Sequence, residues 1–125
     1  MIPAAFEYHK AKSLRGALGL LTKHEDAKIL SGGHSLLPAM KLRMSAPERL
    51  IDIGGLKELR YLRAGREFIR VGANSTHREL ASSKRLAKAA PALAQAAGSI
   101  GDIQVRNRGT VGGSIAHADP AADYP

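Results

Sequence analysis

With 125 residues and 19 Lys+Arg against 11 Asp+Glu, the chain carries a formal charge of +8 and has the length of one domain at most, or a piece of one. Hydrophobic residues at 44% and charged residues at 24% are ordinary globular usage and exclude a disordered polyelectrolyte. No apolar run approaches the ~20 residues that span a bilayer, Met1-Ile2-Pro3-Ala4-Ala5-Phe6 lacks the pattern of a secretory leader, and the absence of Cys excludes a disulfide scaffold, Cys-ligated zinc and an iron–sulfur cluster on these residues.

In chain order, Leu14, Ala17, Leu18 and Leu21 recur at helical spacing behind Ser13, a residue suited to cap the first amides, so a helix is predicted there. Gly16 and Gly19 weaken it, and its stability has to come from packing. Lys28-Ile29-Leu30 reads as a short buried strand ended by Ser31-Gly32-Gly33, and Leu50-Ile51-Asp52-Ile53 as a second strand closed by Gly54-Gly55. Tyr61–Arg63 and Phe68–Val71 flank Ala64-Gly65-Arg66-Glu67, the pattern of an antiparallel hairpin. Thr76-His77-Arg78-Glu79 has the form of a capping box and predicts a helix start just after Thr76. The Ala-rich stretch Lys84 to Ala97 is helical in propensity, with Pro91 opening a second helix and Gly98 as its expected C′ residue. The end at Asp123-Tyr124-Pro125 has no closing helix or strand, so the chain is expected to be part of a longer one.

The positive charge is scattered along the whole chain, with no block of five like charges, and aromatics are only 4%. That distribution describes a solvated basic surface better than a nucleic-acid platform, which needs stacking side chains. It also suits attraction of a small anionic ligand such as a diphosphate.

Two glycine-pair segments carry the chemistry. Leu30-Ser31-Gly32-Gly33-His34-Ser35-Leu36-Leu37-Pro38 follows a predicted strand, and Arg108-Gly109-Thr110-Val111-Gly112-Gly113-Ser114 repeats glycines framed by hydroxyls. Glycine lets backbone amides approach a diphosphate closely and adopt positive φ. Ser31 and Ser35 supply hydroxyls, and a helical turn after the first loop would add a favourable dipole. A glycine pair after a strand is also the ordinary mark of a turn or bulge. No G-x-G-x-x-G or P-loop pattern is present, which disfavours a Rossmann or Walker site. His117, Asp119 and Asp123 form no convincing metal set, and no G-x-S-x-G elbow supports a hydrolase.

Over these residues, and in order and spacing over essentially the whole chain, the sequence resembles the FAD-binding medium subunits of the molybdenum hydroxylases, the carbon monoxide dehydrogenase and xanthine dehydrogenase-like enzymes. Ser31–Pro38 with Met40-Lys41-Leu42-Arg43 is similar to their first FAD loop, and Arg106–Pro120 to their second with its flanks. The resemblance implies an α+β, two-subdomain FAD-binding fold of the vanillyl-alcohol-oxidase/PCMH type: a small α/β subdomain over residues 1–55, then the start of a larger α+β subdomain over 56–125. It implies FAD contacts from Ile29, Leu30, Ser31, Gly32, Gly33, His34, Ser35 and Leu36, and from Thr110, Gly112, Gly113, Ser114 and Asp123, with no catalytic acid–base residue and no metal ligand on this chain. Gly72-Ala73-Asn74-Ser75-Thr76-His77 departs from the family's double-Thr pattern near the flavin.

By the same resemblance, electrons arrive from [2Fe–2S] clusters on a small partner subunit, after substrate oxidation at a molybdopterin cofactor on a large one, and leave to an external acceptor. The implied assembly is a dimer of heterotrimers in the cytoplasm, able to meet the inner face of the membrane through its partners, with no nucleic acid. The competing reading of the residues is a basic polyanion-binding or nucleic-acid-binding module without redox activity.

Overall fold

The computed structural model describes residues 1–124 and divides into two units, Met1–Lys57 and the residues from Glu58 onward. In the first unit, strands β1 (Glu7–Lys10), β2 (Ala27–Leu30) and β3 (Arg49–Asp52) form a parallel sheet in the order β1-β3-β2, with helix α1 (Leu14–Lys23) linking β1 to β2 and α2 (Leu36–Lys41) lying between β2 and β3. The register pairs Tyr8 and Lys28 with Leu50, and His9 and Ile29 with Ile51.

The central position of β3 follows from its sequence. Leu50 and Ile51 are both 1% exposed, as expected of a parallel strand covered on both faces. Arg49, at the start of β3, reaches Glu7 Oε2 at 2.9 Å and Asp26 Oδ1 at 3.0 Å, so one guanidinium ties together the beginnings of all three strands. Tyr8 on β1 donates its hydroxyl hydrogen to Asp52 at the other end of β3, which raises the Tyr8 pKa above its ordinary value. Helix α1 starts as its sequence predicts: Ser13 Oγ accepts from Gly16 N–H at 3.0 Å. Strand β1 had no signal in the sequence pattern; its side chains are mostly exposed and the strand exists through pairing with β3.

In the second unit, β4 (Leu62–Ala64) and β5 (Ile69–Val71) make the predicted antiparallel hairpin, followed by helices α3 (His77–Ser82), α4 (Lys84–Ala89), α5 (Pro91–Ser99), α6 (Ile103–Arg108) and α7 (Val111–His117). The core is Leu80, Leu86, Ala94 and Ala97 from α3, α4 and α5, with Leu62, Ile69 and Val71 of the hairpin packed against it. The capping box at Thr76 and Glu79 is complete. Partial burial works to raise the Glu79 carboxyl, but the Thr76 N–H and the Arg60 guanidinium outweigh it and hold the pKa below the ordinary value.

Pro91 occupies the first turn of α5, as expected. Gly98 is not the C′ residue: α5 runs on to Ser99 with Ile100 as its C-cap, because the Ala94–Ala97 face stays packed on α3, and the left-handed residue is Gly101, at φ 48. A Cβ on Gly98 would stand 3.7 Å from Ala81 Cβ, an ordinary contact. Two further differences bear on the site. Helix α6, capped by Asp102 through Val105 N–H at 2.8 Å, was not expected, and the second glycine pair is not in a loop but in the first turn of α7.

Candidate functional site

The first group of candidate residues lies in the first unit. Ile29 and Leu30 end β2, Ser31–Ser35 form the connecting loop, and Leu36 opens α2. Gly33 has φ +79, a conformation that side chains rarely adopt, and a Cβ there would come within 3.0 Å of Leu37 Cδ1. Among the described residues, the backbone N–H groups of Gly32, Gly33, His34 and Ser35 donate to no acceptor in the chain. Ser35 makes no side-chain capping bond, leaving its hydroxyl available as well. The His34 ring turns back on its own loop, with Nδ1 3.1 Å from the Gly32 carbonyl oxygen, so His34 offers a ligand its amide rather than its imidazole. Successive unpaired amides on a partly exposed loop with one left-handed glycine have the character of an anion-binding nest.

The second group lies in the other unit and is built differently. Thr110 is the N-cap of α7, and its Oγ1 accepts from Gly113 N–H at 3.2 Å. Val111 N–H donates to Ser75 O at 3.0 Å and Gly112 N–H to Ala73 O at 2.9 Å, while Thr76 and Thr110 form an antiparallel bridge. The amides of this glycine pair are therefore committed within the unit.

Glycine is required here by close packing. A Cβ on Gly112 would lie 2.6 Å from Ala73 Cβ and 2.7 Å from Ala73 O, and one on Gly109 would lie 2.8 Å from the His77 ring. What this segment presents outward is the exposed Gly113 and the half-buried Ser114.

Behind α7 sits a buried polar cluster. Asn74, Ser75, Thr76, His77 and Thr110 are each no more than 9% exposed. Buried polar groups persist only when hydrogen-bonded, and these interlock: Ser75 Oγ donates to Tyr61 O at 3.0 Å, and His77 N–H to Gly109 O at 3.1 Å. His77 Nδ1 meets the Tyr124 hydroxyl at 2.8 Å, with the rings tilted at 5.3 Å between centroids. Burial, followed by the nearby Asp123 carboxylate, pushes the Tyr124 pKa up to about 12. Tyr124 thus anchors the C-terminal segment, carrying the exposed Asp123, against the start of α3.

Asp119 spends its carboxylate on a turn, accepting from Ala121 N–H at 2.9 Å. Among the described residues no group of three His, Asp or Glu side chains is placed to hold a metal ion. In the sequence Gly72–His77 departs from a family pattern and ends in a capping box, and neither feature shows that this segment takes up the α7 amides. Its one local signal was a run of small polar residues, Asn74-Ser75-Thr76, ahead of a capping box.

The residues present fit a dinucleotide best in the first unit, where free amides and a hydroxyl surround a left-handed glycine. Comparison with known proteins gives the family. The family described as the FAD binding domain in molybdopterin dehydrogenase matches residues 4–125. The carbon monoxide dehydrogenase medium chain of Hydrogenophaga pseudoflava is 51% identical over all of this chain and 44% of its own length. The 6-hydroxypseudooxynicotine dehydrogenase complex subunit alpha of Paenarthrobacter nicotinovorans is 44% identical, again over all of this chain and 43% of its own.

Among solved structures, carbon monoxide dehydrogenase from Hydrogenophaga pseudoflava lacking the Mo-pyranopterin moiety superposes with a TM-score of 0.93 at 52% identity, over 96% of this chain and 42% of that one. The chain therefore spans less than half the length of the curated relatives it matches. With the match to the FAD-binding domain extending across both units, the chain belongs to the FAD-binding domain family of the molybdopterin dehydrogenases.

Proposed function

We propose that this chain is the FAD-binding part of the medium subunit of a molybdenum hydroxylase, an oxidoreductase of the carbon monoxide dehydrogenase and xanthine dehydrogenase group. It would receive electrons from [2Fe–2S] clusters on a small partner subunit and pass them to an external acceptor, substrate oxidation taking place at a molybdopterin cofactor on a large subunit. A dimer of heterotrimers in the cytoplasm is the corresponding assembly. Residues 1–55 are the small FAD-binding subdomain in this reading, and 56–125 begin the larger one.

The observation that carries it is the set of unpaired amides at Gly32–Ser35 beside a glycine at φ +79, in a chain whose family binds FAD. Ile29 to Leu36 would hold the diphosphate and the adjoining ribose, chiefly by backbone N–H donation from Gly32, Gly33, His34 and Ser35. The part of Thr110, Gly112 and Gly113 is indirect, since their hydrogen bonds build the α7 turn that presents Ser114 and the open Gly113 surface. Asp123, held through Tyr124 and His77, would accept from a ribityl hydroxyl. FAD, when bound, supplies the exchange of electrons between the clusters and the acceptor; the protein orients it and sets its potential through hydrogen bonds and charge. The +8 charge favours a diphosphate electrostatically, and no side chain has to transfer a proton.

The test is flavin content. Full-length protein should purify yellow with stoichiometric FAD, whereas a colourless protein with strongly salt-dependent DNA affinity would favour the polyanion-binding reading instead.

A further inference from the structure

The stretch of chain from Gly109 to Tyr124 leaves the start of α3 and returns to it, and both of its ends are tied to His77. At the near end His77 N–H donates to Gly109 O at 3.1 Å. The imidazole lies so close there that a Cβ on Gly109 would stand 2.8 Å from its Cδ2. At the far end His77 Nδ1 and the Tyr124 hydroxyl are 2.8 Å apart. Between these ends run α7 and the turn after it, which carry Ser114 and Asp123, two of the residues assigned above to FAD.

Little else holds the far end. Helix α7 stops at Ala118, which is left-handed at φ 51, and the bonds of the following turn are local. Asp119 Oδ1 accepts from Ala121 N–H at 2.9 Å, and Asp119 O from Ala122 N–H at 3.0 Å. Among the described residues, the bond to His77 is the one hydrogen bond that joins residues 119–124 to the rest of the unit, beside packing of the Tyr124 ring on the Leu80 and Leu86 core.

His77 itself is firmly placed. It is 4% exposed, it opens α3 directly after the Thr76–Glu79 capping box, and the next residue, Arg78, donates to Asn107 Oδ1 of α6 at 3.0 Å. Asp123, by contrast, is exposed, and among the described residues its carboxylate accepts no hydrogen bond. A carboxylate serves a ligand only when its support holds it within about 0.5 Å of the productive geometry.

We propose that His77 is a positioning residue for the flavin cofactor: buried itself, it pins both ends of the 109–124 segment and so sets where Ser114 and the Asp123 carboxylate meet FAD. This role rests on the function proposed above and adds to it the group on which the Asp123 contact depends. Tyr124 is the link, since its hydroxyl bonds to nothing else among the described residues.

The test titrates FAD into deflavinated full-length protein and follows flavin fluorescence. Tyr124→Phe keeps the ring and removes only the hydroxyl; it should weaken FAD binding about fivefold, the equivalent of one hydrogen bond. His77→Phe should weaken it by at least that factor, and the double variant by no more than His77→Phe alone, because both changes break the same link. In an Asp123→Ala background, Tyr124→Phe should no longer alter FAD affinity, a coupling that a general loss of stability does not produce. FAD affinity within twofold of the unaltered protein in Tyr124→Phe overturns the proposal. So does an undiminished effect of that change in the Asp123→Ala background, or Asp123→Ala that itself leaves the affinity unchanged. Unaltered protein that binds no FAD overturns the proposed function, whereas FAD bound without this coupling overturns only the role of His77.

Discussion

Two segments of this molecule carry a glycine pair beside hydroxyl side chains, and they put it to opposite uses. At Ser31–Ser35 the pair sits in a loop between β2 and α2, Gly33 takes a left-handed conformation, and four consecutive amides have no acceptor among the described residues. At Thr110–Ser114 the pair is inside α7, the amides of Val111, Gly112 and Gly113 are satisfied by Ser75, Ala73 and Thr110, and glycine is needed because another stretch of backbone lies too close for a Cβ. The first segment is built to donate outward, and the second to be a rigid support. A glycine pair framed by hydroxyls is therefore no statement of role until the destinations of its N–H groups are known.

The largest expected effect breaks the supporting segment. Gly112→Val should lower the stability of the second unit by about 1–3 kcal/mol or more through overpacking against Ala73, seen as a reduced melting temperature even without flavin. Unchanged stability with lost FAD would mean that Gly112 faces the ligand after all.

Next comes the donating segment. Gly33→Ala should destabilise by about 1–2 kcal/mol for the left-handed backbone. In addition it should weaken FAD binding by about tenfold, the equivalent of one hydrogen bond, measured by flavin retention under dialysis. If only stability falls, the loop is a turn and nothing more.

A smaller effect sharpens the contrast. Thr110→Ala removes the α7 cap and should cost about 1 kcal/mol in denaturant unfolding, whereas Ser35→Ala, which removes no capping bond, should leave stability nearly unchanged and lower only FAD retention.

The smallest effect is confined to alkaline pH. The Tyr124 pKa is raised from 10.0 to about 12 in the folded protein, so its contribution is fully present below pH 10 and is lost as pH rises through that interval, where the unfolded chain ionises first. Tyr124→Phe should flatten the stability profile between those limits in a pH-titrated unfolding experiment; an unaltered slope would show that the hydroxyl is not shielded.

Much of the local structure was legible because its causes are local. Ser13 and Thr76 cap the helices they precede, Pro91 opens α5, and Leu62, Ile69 and Val71 line one face of a hairpin by simple alternation. The first glycine pair was legible for the same reason: a loop after a strand exposes its own amides. Strand β1 was not, since Glu7–Lys10 has no apolar alternation and is ordered by Leu50 and Ile51 in the neighbouring strand. The extension of α5 past Gly98 escaped the pattern too, because packing of Ala94 and Ala97 overrides a glycine's preference to end a helix.

By itself the sequence determined the family, the charge that favours an anionic ligand, and the elements whose caps and periodicity lie within a few residues of each other. Only the tertiary structure decided which glycine pair has amides to give. That depends on whether a carbonyl from a distant segment, here Ala73 or Ser75, arrives to accept them, and hydrogen-bond partners separated by more than thirty residues leave no trace in local spacing.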